Sequence, residues 1–242
     1  MSASPSRLPA AIPDRPIRRR LSSEDRRTQL IAQAIEMFSR HGFSGTRTRD
    51  IAAACGVSEG VLFHHFATKD DLYQAILQSH AEEAGSREWM ESMKKLAAKR
   101  KDREVMHLLT AHILRSFQEN ASFHRLLMFA WLEGHALADL AHQQFGMPSF
   151  DFLRKYVAQR QKEGAFRAGD PATLVVAIYA PALQHAMNKN LFHMDLCGGN
   201  DVVVADELAD AALAAVSAEP AHKKNTSAKK IQVQRKRKVR SS

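Results

Sequence analysis

Cysteine is nearly absent from these 242 residues; Cys55 and Cys197 are the two present. They fit no metal-ligand spacing, and two thiols so far apart predict a reducing cytoplasm rather than a disulfide framework. Long apolar runs are missing too. The stretch Leu174 to Leu183 is interrupted by Pro181 and is about half the roughly 20 residues a membrane span needs. No apolar stretch follows the basic start, so no secretory signal is expected. Strand-like alternation and internal repeats do not stand out. No nucleophile–base pair or phosphate loop is found, which argues against an enzyme and predicts no cofactor and no metal. What remains is an all-α protein of about nine or ten helices.

Acid is scarce at both ends. Of the net charge of +9, the first 22 residues carry +4 and residues 220–242 carry +9, which leaves −4 on the middle. An acidic body with two basic ends does not adhere to polyanions everywhere, but its ends do. Residues 1–21 hold four prolines and the run Arg18-Arg19-Arg20, and are expected to be a disordered basic arm. Residues 220–242 are expected to be a disordered basic tail.

Between these ends the pattern is helical. Ser22 or Ser23 caps a first helix with Glu24 and Asp25 in its first turn, where the helix dipole favours acids. Leu30, Ile31, Ala34, Ile35 and Phe38 recur at helical spacing, and the helix is expected to stop at His41-Gly42. Residues 85–101 are charged and weakly patterned. Further helices are expected over 102–118, 122–142 and 148–163. Asp170 caps another, with Pro171 at its first position, and Gly198-Gly199 precedes a last one over 201–218.

The most informative stretch runs from Thr48 to Phe66. A short helix carries Ile51, Ala52 and Cys55 on one face, and Gly56 ends it. Val57 fills the turn, Ser58 caps the next helix, and Leu62 and Phe66 bury its inner face. Glu59, Gly60, Val61, Phe63 and His64 are left facing outward. This is a helix-turn-helix whose outward helix suits a major groove.

The same residues resemble the TetR family of bacterial repressors. The likeness rests on Phe38, Gly42, Phe43, Thr46, Arg49-Asp50-Ile51-Ala52, Gly56-Val57-Ser58, Gly60, Leu62, Phe63-His64-His65-Phe66, Lys69 and Leu72. It covers about residues 24–75 by motif; the segment Tyr156 to Pro171 is also a phrase common in members. It implies a helix-turn-helix domain over 22–68 and a helical effector-binding and dimerisation domain over 69–219. Its partners would be a double-stranded operator, a second copy in a homodimer and a small-molecule effector. By this resemblance Thr48 offers its hydroxyl to a phosphate and Ser58 touches backbone. Gly60 admits close approach of the main chain, and Val61 contacts a thymine methyl. His64 reaches a phosphate or base edge, and Lys69 pairs with a phosphate. Arg47 lies beside them, before the second helix, and Arg18, Arg19 and Arg20 are placed to enter an adjacent minor groove. Phe63 stands where members usually have Tyr, so a phenol–phosphate bond is missing. Glu59 is able to accept from cytosine N4 and equally able to repel phosphate.

In the larger domain His112, Phe129, Trp131, Phe150, Tyr179, His185 and Asn188 are the candidates for an effector pocket: an apolar lining with a few polar anchors. Leu174, Ile178, Leu208, Ala212 and Val216 are candidates for a dimer interface. Glu133, His135, Asp139 and His142 invite a metal reading, but His135 and His142 stand two turns apart, about 10 Å, too far for one ion. The expected function is a repressor released from a palindromic operator by an effector. The alternatives are an architectural DNA-binding protein driven by its basic ends, and an enzyme built on the C-terminal helices.

Overall fold

Ser22 starts the first helix as its sequence predicts. Its hydroxyl accepts the Asp25 N–H at 3.0 Å, and the Asp25 carboxylate reaches back to the Ser22 amide. Two donors left over at a helix start are thus satisfied together. The structure, a computed structural model, describes residues 21–83 and 86–218. Arg18, Arg19, Arg20 and the basic tail lie outside the described residues.

The described chain runs α1 (Ser23–Gly45), α2 (Thr48–Ala54), α3 (Glu59–His65), α4 (Lys69–Glu83), α5 (Ser86–Ala98) and α6 (Asp102–Glu119). It continues through α7 (Ala121–Leu132), α8 (Ala136–Ala141), a π turn (His142–Gly146), α9 (Met147–Lys162), α10 (Pro171–Asn190) and α11 (Asp201–Val216). These eleven α-helices bear out the all-α reading.

Three boundaries differ from the sequence expectation, each for a local reason. Helix α1 does not stop at Gly42. It kinks there, at φ 69° and ψ 177°, and adds one more turn. The charged stretch before residue 101 is a helix, because Trp89, Met93 and Ala97 turn inward at four-residue spacing among exposed lysines. The long helix expected over 122–142 is broken by Gly134 at φ 64°. His135 then caps α8, its ring nitrogen accepting the Leu137 N–H at 3.2 Å.

Two apolar cores result. One joins α5, α6, α9, α10 and α11 around Met106, Leu109, Val157 and Val175. The other joins α1–α4 with α7 and α8, around Phe38, Ile51, Leu62, Tyr73, Leu126 and Leu137. The helix-turn-helix thus shares its core with α7 and α8, across the chain boundary expected at residue 68. At the far end, Arg160 grips Asp102 at 2.7 and 2.9 Å, and the Tyr156 hydroxyl donates to the same carboxylate. Arg100 takes Glu163 at 2.6 and 2.9 Å. These pairs give the segment Tyr156 to Pro171 its physical purpose, the fastening of α9 to the start of α6.

Candidate nucleic-acid interface

Helix α2 ends where its last carbonyls are taken up by the turn. The Gly56 N–H donates to Ala53 O at 2.9 Å and the Val57 N–H to Ala52 O at 3.0 Å. Gly56 makes this turn at φ 70°, a left-handed conformation that suits glycine. Arg26 of α1 steadies it, reaching the Cys55 carbonyl at 3.3 Å, and burial raises the pKa of the Cys55 thiol there. Ser58 holds the N-cap position of α3 in extended backbone, but its hydroxyl makes no capping bond, so that local expectation is corrected. Leu62 and Phe66 are buried as predicted.

The outward face of α3 carries Glu59, Gly60, Phe63 and His64, all exposed, with Val61 half-buried. Phe63 leaves 44% of its surface open, a large apolar group with no internal partner face. Gly60 has no internal excuse either. A Cβ there would meet Ser58 Oγ at an ordinary 3.8 Å and nothing closer. Glycine inside a helix costs about 1 kcal/mol against alanine, and nothing packed around Gly60 within the subunit calls for it.

Two site residues behave differently from their expected roles. The Thr48 hydroxyl, expected on a phosphate, donates to Glu59 Oε1 at 2.6 Å. A hydroxyl has one proton to give, so the same hydroxyl cannot also donate to phosphate. Lys69 is half-buried; its ammonium donates to the Phe43 carbonyl and sits 4.1 Å from the centre of the Phe43 ring. Burial lowers its pKa, with Glu133 and Asp70 opposing. Within the subunit its charge is engaged by the Phe43 carbonyl and ring. Arg47, before α2, is exposed.

One contact was not legible as a site in the sequence. The α7–α8 turn presses onto the kink in α1. Glu133 accepts the Phe43 N–H at 3.2 Å and the Ser44 N–H at 3.4 Å. A Cβ on Gly42 would run into the same carboxylate. The His135 ring lies tilted against Phe43, centroids 4.2 Å apart, and meets Asp70 at 3.4 Å. Glu133 and His135, two of the residues that invited a metal reading, join the α7–α8 turn to the helix-turn-helix unit. The kink-forming Gly42 and the Glu133-Gly134 break were the available signals, ninety residues apart in the chain.

The proposed effector residues do not form one group. Phe129 packs on the Gly42 kink and Trp131 is 45% exposed. His112 stacks on Trp89 at 4.3 Å. Phe150 and Tyr179 pack against the larger core, and the Tyr179 hydroxyl donates to Ser149 Oγ at 2.9 Å. Asn188 accepts from Gln184 at 2.8 Å. His185 is 8% exposed, and its Nε2 has no hydrogen-bond partner. A cleft of about 410 Å³ opens elsewhere, between α1, the end of α4 and the α6–α7 corner, and includes Ile31, Glu36, His80, Glu119 and Phe123.

The dimer candidates are also corrected. Leu174, Ile178, Ala212 and Val216 are buried in the subunit's own core, with Leu208 packed against it. The outer faces of α10 and α11 instead show Val176 and Val203, each more than half exposed, with Ala180 and Ala214 a turn or more on.

Residues 30–76, which hold the whole α2–turn–α3 unit, match the model of the bacterial regulatory proteins of the tetR family. This segment is a tetR-family domain. Over 63 residues the chain is 41% identical to the HTH-type transcriptional activator FasR of Mycolicibacterium smegmatis, 26% of this chain and 29% of that one. It is 39% identical over 61 residues to the HTH-type transcriptional regulator UidR of Escherichia coli, 25% of this chain and 31% of that one. The matches thus span under a third of each relative. The fold reaches further than the identity. The ketosteroid transcriptional regulator KstR2 of Mycobacterium tuberculosis superposes with a TM-score of 0.58 at 19% identity, over 80% of this chain and 96% of that one. The tetR-family domain therefore sits on a helical body of the same overall fold as that regulator's.

Proposed function

We propose that the protein is a sequence-specific DNA-binding transcriptional regulator, a homodimeric repressor that leaves a palindromic operator when a small molecule binds its larger helical body. The observation that carries this reading is Gly60. It stands on an outward helix face beside exposed Phe63 and His64, with room for a Cβ inside the subunit. A backbone bared at that cost suits close approach to DNA.

Two further features support the finer reading. The apolar outer faces of α10 and α11 suit a second copy, with Val176 and Val203 at the contact. The buried, unpartnered Nε2 of His185 suits a polar group of an effector in a mostly apolar site. Such a protein acts in the cytoplasm, where its operator is. Among the described residues no helix is long and apolar enough to cross a membrane.

A genome-wide footprint of the purified full chain, paired with a mass measurement in solution, tests the proposal. A dimer that protects a few palindromic sites is expected. Uniform coverage that disappears when residues 220–242 are removed would overturn it in favour of an architectural protein.

A further inference from the structure

The hydrogen bond from Thr48 to Glu59 decides between two roles for that carboxylate. We infer that Glu59, held by Thr48, is the base-reading residue that selects a cytosine in each half-site. This rests on the reading of the protein as a DNA-binding regulator, and it names what the outward face of α3 reads.

Glu59 and Thr48 are the first residues of α3 and α2, and the bond between them spans 2.6 Å. Glu59 is exposed, so nothing in the interior requires a carboxylate there. A free glutamate on a recognition helix would swing away from the phosphates that repel it. Here one oxygen is pinned by the neighbouring helix, which fixes the side chain and leaves Oε2 to accept a bond from outside. The side-chain entropy lost on binding is reduced accordingly.

An ionised carboxylate only accepts hydrogen bonds. Phosphate oxygens only accept as well, so the DNA backbone offers Glu59 no partner. In the major groove the exocyclic donors are cytosine N4 and adenine N6. Adenine places its N7 acceptor beside N6, where it would face the carboxylate lone pairs. Cytosine has a C–H beside N4 and no such clash. The first residues of a recognition helix are the ones that reach base edges, and Glu59 holds that position.

The test is selection of bound duplexes from a random library by the full chain and by Glu59→Ala, Glu59→Gln and Thr48→Val. The parent is expected to enrich a palindrome with cytosine fixed at one position of each half-site. Glu59→Ala should lose the preference at that position and keep the rest, with affinity for the selected duplex down roughly tenfold to a hundredfold. Glu59→Gln should shift the position towards adenine, which glutamine pairs bidentately. Thr48→Val should blur the same position while its thermal unfolding stays close to the parent's. A duplex with pyrimidin-2-one, cytosine without its 4-amino group, at that position should weaken the parent and leave Glu59→Ala unaffected.

If Glu59→Ala selects the same sequence, or binds every duplex more tightly, Glu59 only repels phosphate and the assignment is overturned. If the parent enriches no sequence, the regulator reading itself fails, and this assignment with it.

Discussion

The carboxylate of Glu133 lies in the angle of the α1 kink and accepts the backbone N–H of Phe43 at 3.2 Å. With His135 on Phe43 and Asp70, this side chain fastens the α7–α8 turn to the chain that leads into the helix-turn-helix. Glu133→Ala is expected to lower stability by about 1 kcal/mol, the ordinary worth of such a bond at a surface. Glu133→Gln, which keeps an acceptor, should lose less. Gly42→Ala meets both the carboxylate and a backbone conformation, φ 69° and ψ 177°, that only glycine adopts readily, and should cost about 1–3 kcal/mol. Urea unfolding of the three variants checks the order; equal stability of Gly42→Ala and parent would sink the account.

Gly60→Ala should separate folding from binding. Within the subunit the added Cβ has room, and a helix gains up to about 1 kcal/mol from the exchange. The variant is expected to melt at or above the parent temperature and to bind its operator at least tenfold more weakly. A variant that is destabilised, or that binds as well as the parent, contradicts the reason given for this glycine.

Lys69 gives the opposite pattern. Its ammonium is held by the Phe43 carbonyl and ring, so Lys69→Met should cost about 1 kcal/mol of stability. The salt dependence of operator binding should keep the parent's slope. A slope reduced by about one would show a phosphate contact after all.

Acid should loosen the fold through three histidines. His80 stacks on Phe123 at 3.7 Å, His124 on Phe117 at 3.8 Å and His112 on Trp89 at 4.3 Å. Burial holds the pKa of His80 and of His112 at about 4, and that of His124 at about 3, below the ordinary 6.5. Arg115 and His80 push His112 the same way, and His80 and His112 push His124, where Ser116 opposes the shift. As pH falls through 6.5 the unfolded chain takes up protons that the folded chain refuses, so stability drops from there to about pH 4 for His80 and His112 and to about pH 3 for His124. Above pH 6.5 these groups leave it constant. The slope is at most roughly 1.4 kcal/mol per pH unit for each histidine. Melting curves from pH 7.5 to 4.5 should show the loss, and His124→Gln should flatten it. An unchanged acid limb in that variant would assign the loss to other groups.

Much of this was legible in the chain. Ser22, Gly56 and Asp170 act as local punctuation, and their neighbours alone determine what they do. Asp170 accepts the Thr173 N–H at 2.9 Å, as a cap does. The outward set on α3 follows from one turn of helical spacing after Ser58. Helix α5 was hidden because its three inward residues are diluted by lysines that pay no penalty in water. The partners of Thr48, Lys69 and Glu133 were hidden for another reason. Each is a polar tip whose direction is decided by a different helix, and spacing along one helix carries no record of that. The buried state of Leu174, Ile178, Ala212 and Val216 was misjudged similarly, since an apolar stripe does not say which neighbour covers it.

The sharing of one core by α1–α4, α7 and α8 has a mechanical meaning. Side chains packed to the density of an interior do not shear past one another easily. A shift of α7 therefore carries α3 with it as part of a single block. Any displacement of α3 relative to the other core is then a displacement of the whole block.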